Sequence, residues 1–218
     1  MQLLPIFPLK MVVFPGEELN LHVFEARYKQ LVNECYEEGK PFGIPFYNKN
    51  RLMPVMVEIE LVEISKIYED GKLDVKTRAT NRVVRIADLQ KTLPDKLYAA
   101  ATVEPLMYDF EDSEFLLAMK IQEKMKVLYE LLNINKEIPT AENLRIFSHA
   151  HLFGFSQMQE FQLLTIKTES ERQKFVYEHL ESFIPTIIEM QELQRKAKLN
   201  GHFKDILPPD FKISDFMK

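Results

Sequence analysis

The period of the hydrophobic pattern changes near Pro105, and that change constrains the fold more than any single motif. Before it, apolar residues recur at every second position. Leu19-Asn20-Leu21-His22-Val23 and Val57-Glu58-Ile59-Glu60-Leu61 alternate strictly, which puts one face of a strand in a core and the other in water. Residues 72–77 alternate around Leu73 and Val75 behind the turn residues Glu69-Asp70-Gly71, and residues 83–86 and 98–103 read as further strands. Pro5, Pro8, Pro15, Pro41, Pro45 and Pro54 cannot donate to a ladder and are expected at strand starts, edges or turns. These signals predict a small, irregular β-barrel or curled sheet. One helix interrupts it: Phe24, Tyr28, Leu31 and Cys35 form an apolar stripe that should end near Gly39-Lys40-Pro41. Glu25 and Arg27 flank its start and are expected to fix it by an ion pair or a backbone contact.

Beyond Pro105 the period becomes 3.6. Asp112 or Ser113 can cap a helix with the stripe Leu117, Ile121, Met125, Leu128 and Leu132, and Thr140 can cap a second that ends at Gly154. Ser156 with Gln159 and Thr168 with Glu171 fit the capping box. Pro185 should break or bend the last helix, and the tail beyond Asn200-Gly201, with Pro208-Pro209, looks irregular. The expected fold class is α+β, with a β-domain over residues 1–105 and a bundle of four or five helices over residues 106–218.

Charge and composition narrow the function. The 218 residues carry a net charge of −5, with 14 basic and 15 acidic residues up to Pro105 and 14 and 18 beyond it. Neither half shows the basic excess of a nucleic-acid-binding module. Cys35 is the single cysteine, so neither an internal disulfide nor a cysteine-rich metal site can form. Its place on the apolar stripe marks it as a core residue. No signal-peptide pattern, no bilayer-spanning apolar run and no Asn-x-Ser/Thr site occurs, which predicts a cytoplasmic location.

Catalytic chemistry finds no footing. Gly39-Lys40 and Gly71-Lys72 lack the earlier glycine and the following Ser or Thr of a phosphate loop, and there is no G-x-S-x-G elbow. His149 and His151, two apart on an expected helix, point about 200° apart and cannot grip one ion. They are expected to be partly exposed or capping residues, with His22 and His202 isolated. The adjacent pairs Glu17-Glu18 and Glu37-Glu38 show no sign of an acid/base couple. No catalytic, metal-binding or cofactor-binding residue is assigned and no cofactor is expected. Met11-Val12-Val13-Phe14, between Pro8 and Pro15-Gly16, reads as an apolar loop that either plugs its own barrel or offers a surface to apolar partners. Together with the strand end Phe46-Tyr47 it gives a candidate protein-binding surface of Met11, Val12, Phe14, Phe46 and Tyr47.

Three blocks carry a family likeness: Leu4-Pro5-Ile6-Phe7-Pro8-Leu9, Val13-Phe14-Pro15-Gly16, and Leu21-His22-Val23-Phe24-Glu25-Ala26-Arg27-Tyr28. In order and spacing they resemble the N-terminal substrate-binding domain of Lon proteases. Ala79-Thr80-Asn81-Arg82-Val83 matches a later family element, with Ala79 and Val83 standing where the family usually has Gly and Phe. Gln162-Leu163-Leu164 and Glu171-Arg172 extend the likeness more loosely into the helical half. The resemblance implies a PUA-like β pseudo-barrel followed by a helical bundle. It also implies a stand-alone, non-catalytic module, a substrate adaptor or regulator of proteolysis. Its partners would be unfolded or degron-bearing protein segments and a separate protease. The alternative is a PUA-like RNA-binding module, which the acidic balance disfavours. A hydrolase reading has no residue constellation behind it.

Overall fold

Alternation builds the first half, and two of its strands, of 17 and 18 residues, run longer than the separate runs suggest. The computed structural model describes residues 2–199; His202 and the tail with Pro208-Pro209 lie outside these. The chain divides between Tyr108 and Asp109 into two compact units.

The first unit contains β1 (Gln2–Pro5), β2 (Glu18–Val23), α1 (Ala26–Glu38), β3 (Phe42–Asn48), β4 (Arg51–Ile67), β5 (Leu73–Gln90) and β6 (Ala100–Pro105). Its six strands make one antiparallel sheet in the order β1-β6-β5-β4-β3, with β2 also paired to β5. The runs expected at 72–77 and 83–86 belong to the single strand β5. Register shifts at Val57/Ile59, Leu61/Glu63 and Ile64/Lys66 absorb extra residues between β4 and β5. Such bulges bend and twist a ribbon without ending it. β5 can therefore face β2 at one end, where Leu21 lies opposite Val75, and β6 at the other, where Val103 lies opposite Ile86.

The two ends of this ladder meet. Ile6 bridges Gly43 and Leu9 bridges Phe46, both in parallel. The Phe7 amide donates to the Gly43 carbonyl at 2.8 Å and the Tyr47 amide to the Leu9 carbonyl at 2.7 Å. Closure satisfies backbone groups that an edge strand would leave open. It also buries β3 on both faces, so every residue from Phe42 to Phe46 is inside. Leu4, Ile6, Met56, Val84, Ala101 and Val103 form one core cluster. A Cβ at Gly43 would stand 2.6 Å from the Met56 sulfur, so a side chain there would force Met56 to move.

On α1 the buried stripe is Tyr28, Leu31, Val32 and Cys35. Phe24, expected to lead it, precedes the helix and is 60% exposed. The Phe7 ring stacks on Tyr28 with centroids 4.1 Å apart. Gly39 ends the helix in the left-handed region at φ 61°, the usual place for a glycine.

The second unit holds α2 (Phe115–Leu132), α3 (Gln157–Thr165), α4 (Glu169–Leu199) and two 3₁₀ stretches, Ala141–Asn143 and Ile146–Leu152. The stretch expected as one α-helix after Thr140 is these two 3₁₀ pieces. Leu144 and Arg145 are extended between them, and the Ile146 amide donates instead to the buried Glu169 carboxylate at 2.8 Å. Neither Asp112 nor Ser113 caps α2, which starts later. Gln173 on α4 accepts the Glu114 amide at 2.8 Å and donates to the Ser113 hydroxyl at 2.7 Å. Ile121, Met125 and Leu128 are buried as the stripe requires, while Ala118 and Tyr129 complete the face instead of Leu117 and Leu132. The Ser156–Gln159 capping box is formed, and the Glu171 amide donates to the Thr168 hydroxyl at 3.3 Å. α4 is not broken at Pro185. That residue is exposed, so the carbonyl it leaves without a donor can be met by water.

Candidate protein-binding rim

The loop after β1 is tied down from both sides. Its start is held against β3 by the sheet closure, and the Phe14 amide donates to the Glu17 carboxylate at 2.9 Å. Apolar side chains leaving so constrained a backbone turn inward. Val12, Phe14 and Phe46 have relative exposures of 0%, 1% and 2%. They are core residues and leave the accessible surface, which corrects their place in the candidate set. Met11 and Tyr47 remain half-buried. The same closure brings their backbones together, since Tyr47 hydrogen-bonds to Leu9, two positions before Met11.

Tyr47 stands opposite Leu52 and Asn48 opposite Arg51, so this rim continues into the β3–β4 turn. Lys49 and Asn50 form that turn with φ 44° and 62°. Two left-handed residues between antiparallel strands are the geometry whose twist matches the strands. Lys49 and Arg51 are exposed. The Asn48-Lys49-Asn50 run is the local signal for this hairpin, since Asn tolerates the left-handed region.

Elsewhere in the β-unit the cations of β5 are neutralised across strands. Lys76 lies 2.6 Å from Glu63, Arg78 2.8 Å from Glu18, Arg82 2.7 Å from Glu58 and Arg85 2.6 Å from Glu104. Each of these four cations is thus matched by a carboxylate on a neighbouring strand.

The groups that invite a catalytic reading are buried or paired. Burial, then Glu34 and Glu38, push the Cys35 thiol up to about 12, so it stays protonated and unreactive. His149, expected to be partly exposed or capping, is 7% exposed and lies 3.0 Å from the Tyr129 hydroxyl. Burial, then Lys136, push it down to about 4. His151 lies 2.7 Å from Glu160. His22 is not isolated, because Asp74 is its cross-strand partner at 2.7 Å, and the Tyr68 hydroxyl donates to the other Asp74 oxygen. Glu25 and Arg27 pair with each other at 2.6 Å and are both well exposed. Among the described residues no group of three or more His, Cys, Asp or Glu side chains could hold a metal ion. No helix among them is long and apolar enough to cross a membrane.

The family model for the ATP-dependent protease La (LON) substrate-binding domain matches residues 3–182, and the chain belongs to that family. Two solved structures share its mixed helical and antiparallel-sheet fold. The Lon N-terminal domain protein from Xanthomonas campestris is 23% identical, with a TM-score of 0.60 over 80% of this chain and 96% of its own. The N-terminal domain of the Mycobacterium avium complex Lon protease is 13% identical, with a TM-score of 0.61 over 84% of this chain and 100% of its own. No curated protein matches in sequence. The matched region is the substrate-recognition part of such proteases, which is itself not catalytic.

Proposed function

We propose that this chain is a non-catalytic protein-binding module that recognises apolar segments of unfolded or degron-bearing proteins and serves as an adaptor or regulator of proteolysis. The family match across both units is the observation that carries this reading. Its site, on this account, is the Met11 and Tyr47 rim of the β-unit, and the closed sheet is a PUA-like pseudo-barrel that presents it. A cytoplasmic location and a separate protease that receives the bound substrate belong to the same reading. The cross-strand neutralisation of β5 supports a protein partner over an RNA.

The methionine favours varied partners, because its flexible, polarizable side chain adapts to different apolar shapes. Titrating the chain into a fluorescently labelled, reduced and carboxymethylated model protein tests the reading. We expect saturable binding of the unfolded form and none of its native counterpart. Equal binding of both forms, or of neither, would reject it. ATP hydrolysis or casein cleavage that follows the protein through gel filtration would reject the non-catalytic part.

A further inference from the structure

One strand of the β-unit keeps a free edge. β2 pairs with β5 alone, whereas β5 and β6 have neighbours on both sides. The Ala79 amide donates to the Glu17 carbonyl at 2.8 Å, and the Tyr68 amide to the Lys72 carbonyl at 2.9 Å. Antiparallel pairing alternates from such anchors. Between Leu73 and Ala79, odd-numbered residues of β5 therefore bond to β2 and even-numbered ones to β4. Leu19, Leu21 and Val23 stand opposite odd-numbered residues and bond to β5. The amides and carbonyls of Glu18, Asn20 and His22 point the other way, and among the described residues no strand takes them up. These three residues are exposed, and β2 contains neither a proline nor a register shift. β4 beyond Ile59 also has one partner strand, but register shifts at Leu61/Glu63 and Ile64/Lys66 interrupt it. Bulges of that kind blunt an edge. β2 has none.

We propose that the free edge of β2 is a second peptide-binding site, which takes an extended segment of a partner protein as an added antiparallel strand. The edge itself selects the occupant. Its outward amides and carbonyls recur at every second residue, and an extended backbone presents the matching groups at the same spacing. A helix spends those groups internally. In an antiparallel addition the residues opposite Asn20 and His22 form the hydrogen-bonded pairs, and their side chains share that polar face. The residues between them lie beside Leu21, which is half-buried between the buried Leu19 and Val23. An apolar side chain there extends the row. The segment is therefore about five to seven residues long, alternates polar and apolar residues, and has no proline at its paired positions. This site goes beyond the rim, because it reads backbone where Met11 and Tyr47 offer side chains.

Three fluorescein-labelled peptides test it, each alternating threonine and valine over about seven residues. One is unmodified, one is N-methylated at its threonines and one at its valines. Only the threonine amides face β2 in the proposed register. Methylating them should weaken binding about tenfold or more, as the loss of two or more hydrogen bonds allows. Methylating the valines should change affinity less than about twofold, because their amides face away. Equal affinity of the two methylated peptides, a loss at the valines instead, or no binding of the unmodified peptide would each overturn the proposal. Asn20→Pro removes an outward amide and leaves the β2–β5 bonds in place. That variant should bind the unmodified peptide about tenfold more weakly, with its circular dichroism unchanged. Retained affinity in the folded variant would overturn the proposal, and if the variant does not fold the methylated peptides decide on the unmodified chain. A concentration-dependent dimer that Asn20→Pro dissociates would put a second copy on the edge and overturn it too. The rim reading stands through all of these outcomes.

Discussion

Arg172 and Glu169 form an ion pair with side-chain exposures of 0% and 2%, Nε lying 2.7 Å from Oε2. Two further Arg172 donors go to the carbonyls of Ile166 and Asp109 at 3.0 and 2.9 Å, and the second Glu169 oxygen accepts the Ile146 amide. The guanidinium also lies 4.5 Å from the Phe147 ring centre and 5.2 Å from that of Phe110. One side chain therefore joins α4 to the segments on either side of α2. A buried charge so fully hydrogen-bonded is tolerable, but one left without its partner is not. Arg172→Ala should cost about 3–5 kcal/mol in denaturant unfolding. Arg172→Leu combined with Glu169→Gln should cost clearly less than the sum of the two single changes. A loss below about 1 kcal/mol for Arg172→Ala would show that the pair does not organise this unit.

Gly154 adopts φ 75°, and a Cβ there would lie 2.1 Å from a Phe183 ring carbon. Both backbone conformation and space exclude a side chain. Gly154→Ala should destabilise by more than about 1 kcal/mol, and adding Phe183→Ala should recover part of the loss by removing the steric share. An additive double mutant would mean that the ring is not the obstacle.

His149 provides a pH test. Its folded value of about 4 lies below the ordinary 6.5, so between these values the unfolded chain binds a proton that the folded chain does not. The stability it supports is complete above about pH 6.5 and is lost as the pH falls toward 4, by at most about 3 kcal/mol. His149→Gln should flatten the decline in unfolding free energy between pH 6.5 and 5 relative to the unmodified protein. Parallel pH profiles for the two proteins would contradict the assignment.

The Glu25–Arg27 pair tests a case in which sequence and structure differ. A buried contact would make Arg27→Ala cost about 1–3 kcal/mol, but the side chains are 41% and 52% exposed. The cost should therefore stay below about 1 kcal/mol. A larger drop in melting stability would point to the packing of Arg27 over the Tyr28 ring, 4.6 Å away.

These cases show what the sequence makes legible. Alternation at Leu19–Val23, the helix stop at Gly39 and the Ser156 cap are local physics, and each is visible in a few consecutive residues. The hold of Gln173 on the Glu114 amide just before α2, the Glu169 bond to the Ile146 amide inside the 140–154 segment and the burial of His149 depend on partners far along the chain, which local spacing does not encode. The rim lies between these cases. Its loop was visible as an apolar run between prolines, but which of its residues turn inward depends on the bridges from Ile6 to Gly43 and from Leu9 to Phe46. Those bridges place Val12, Phe14 and Phe46 in the core and leave Met11 and Tyr47 half outside.

The central claim is that this rim binds apolar segments of other proteins, and anisotropy titration of a labelled unfolded protein against Met11→Ser and Tyr47→Ser, separately, tests it most directly. Truncating a half-buried contact that lies at an interface costs on the order of 1 kcal/mol. Each variant should therefore fold normally and bind about fivefold more weakly than the unmodified chain. Affinity within twofold of the unmodified chain for both folded variants would contradict the claim.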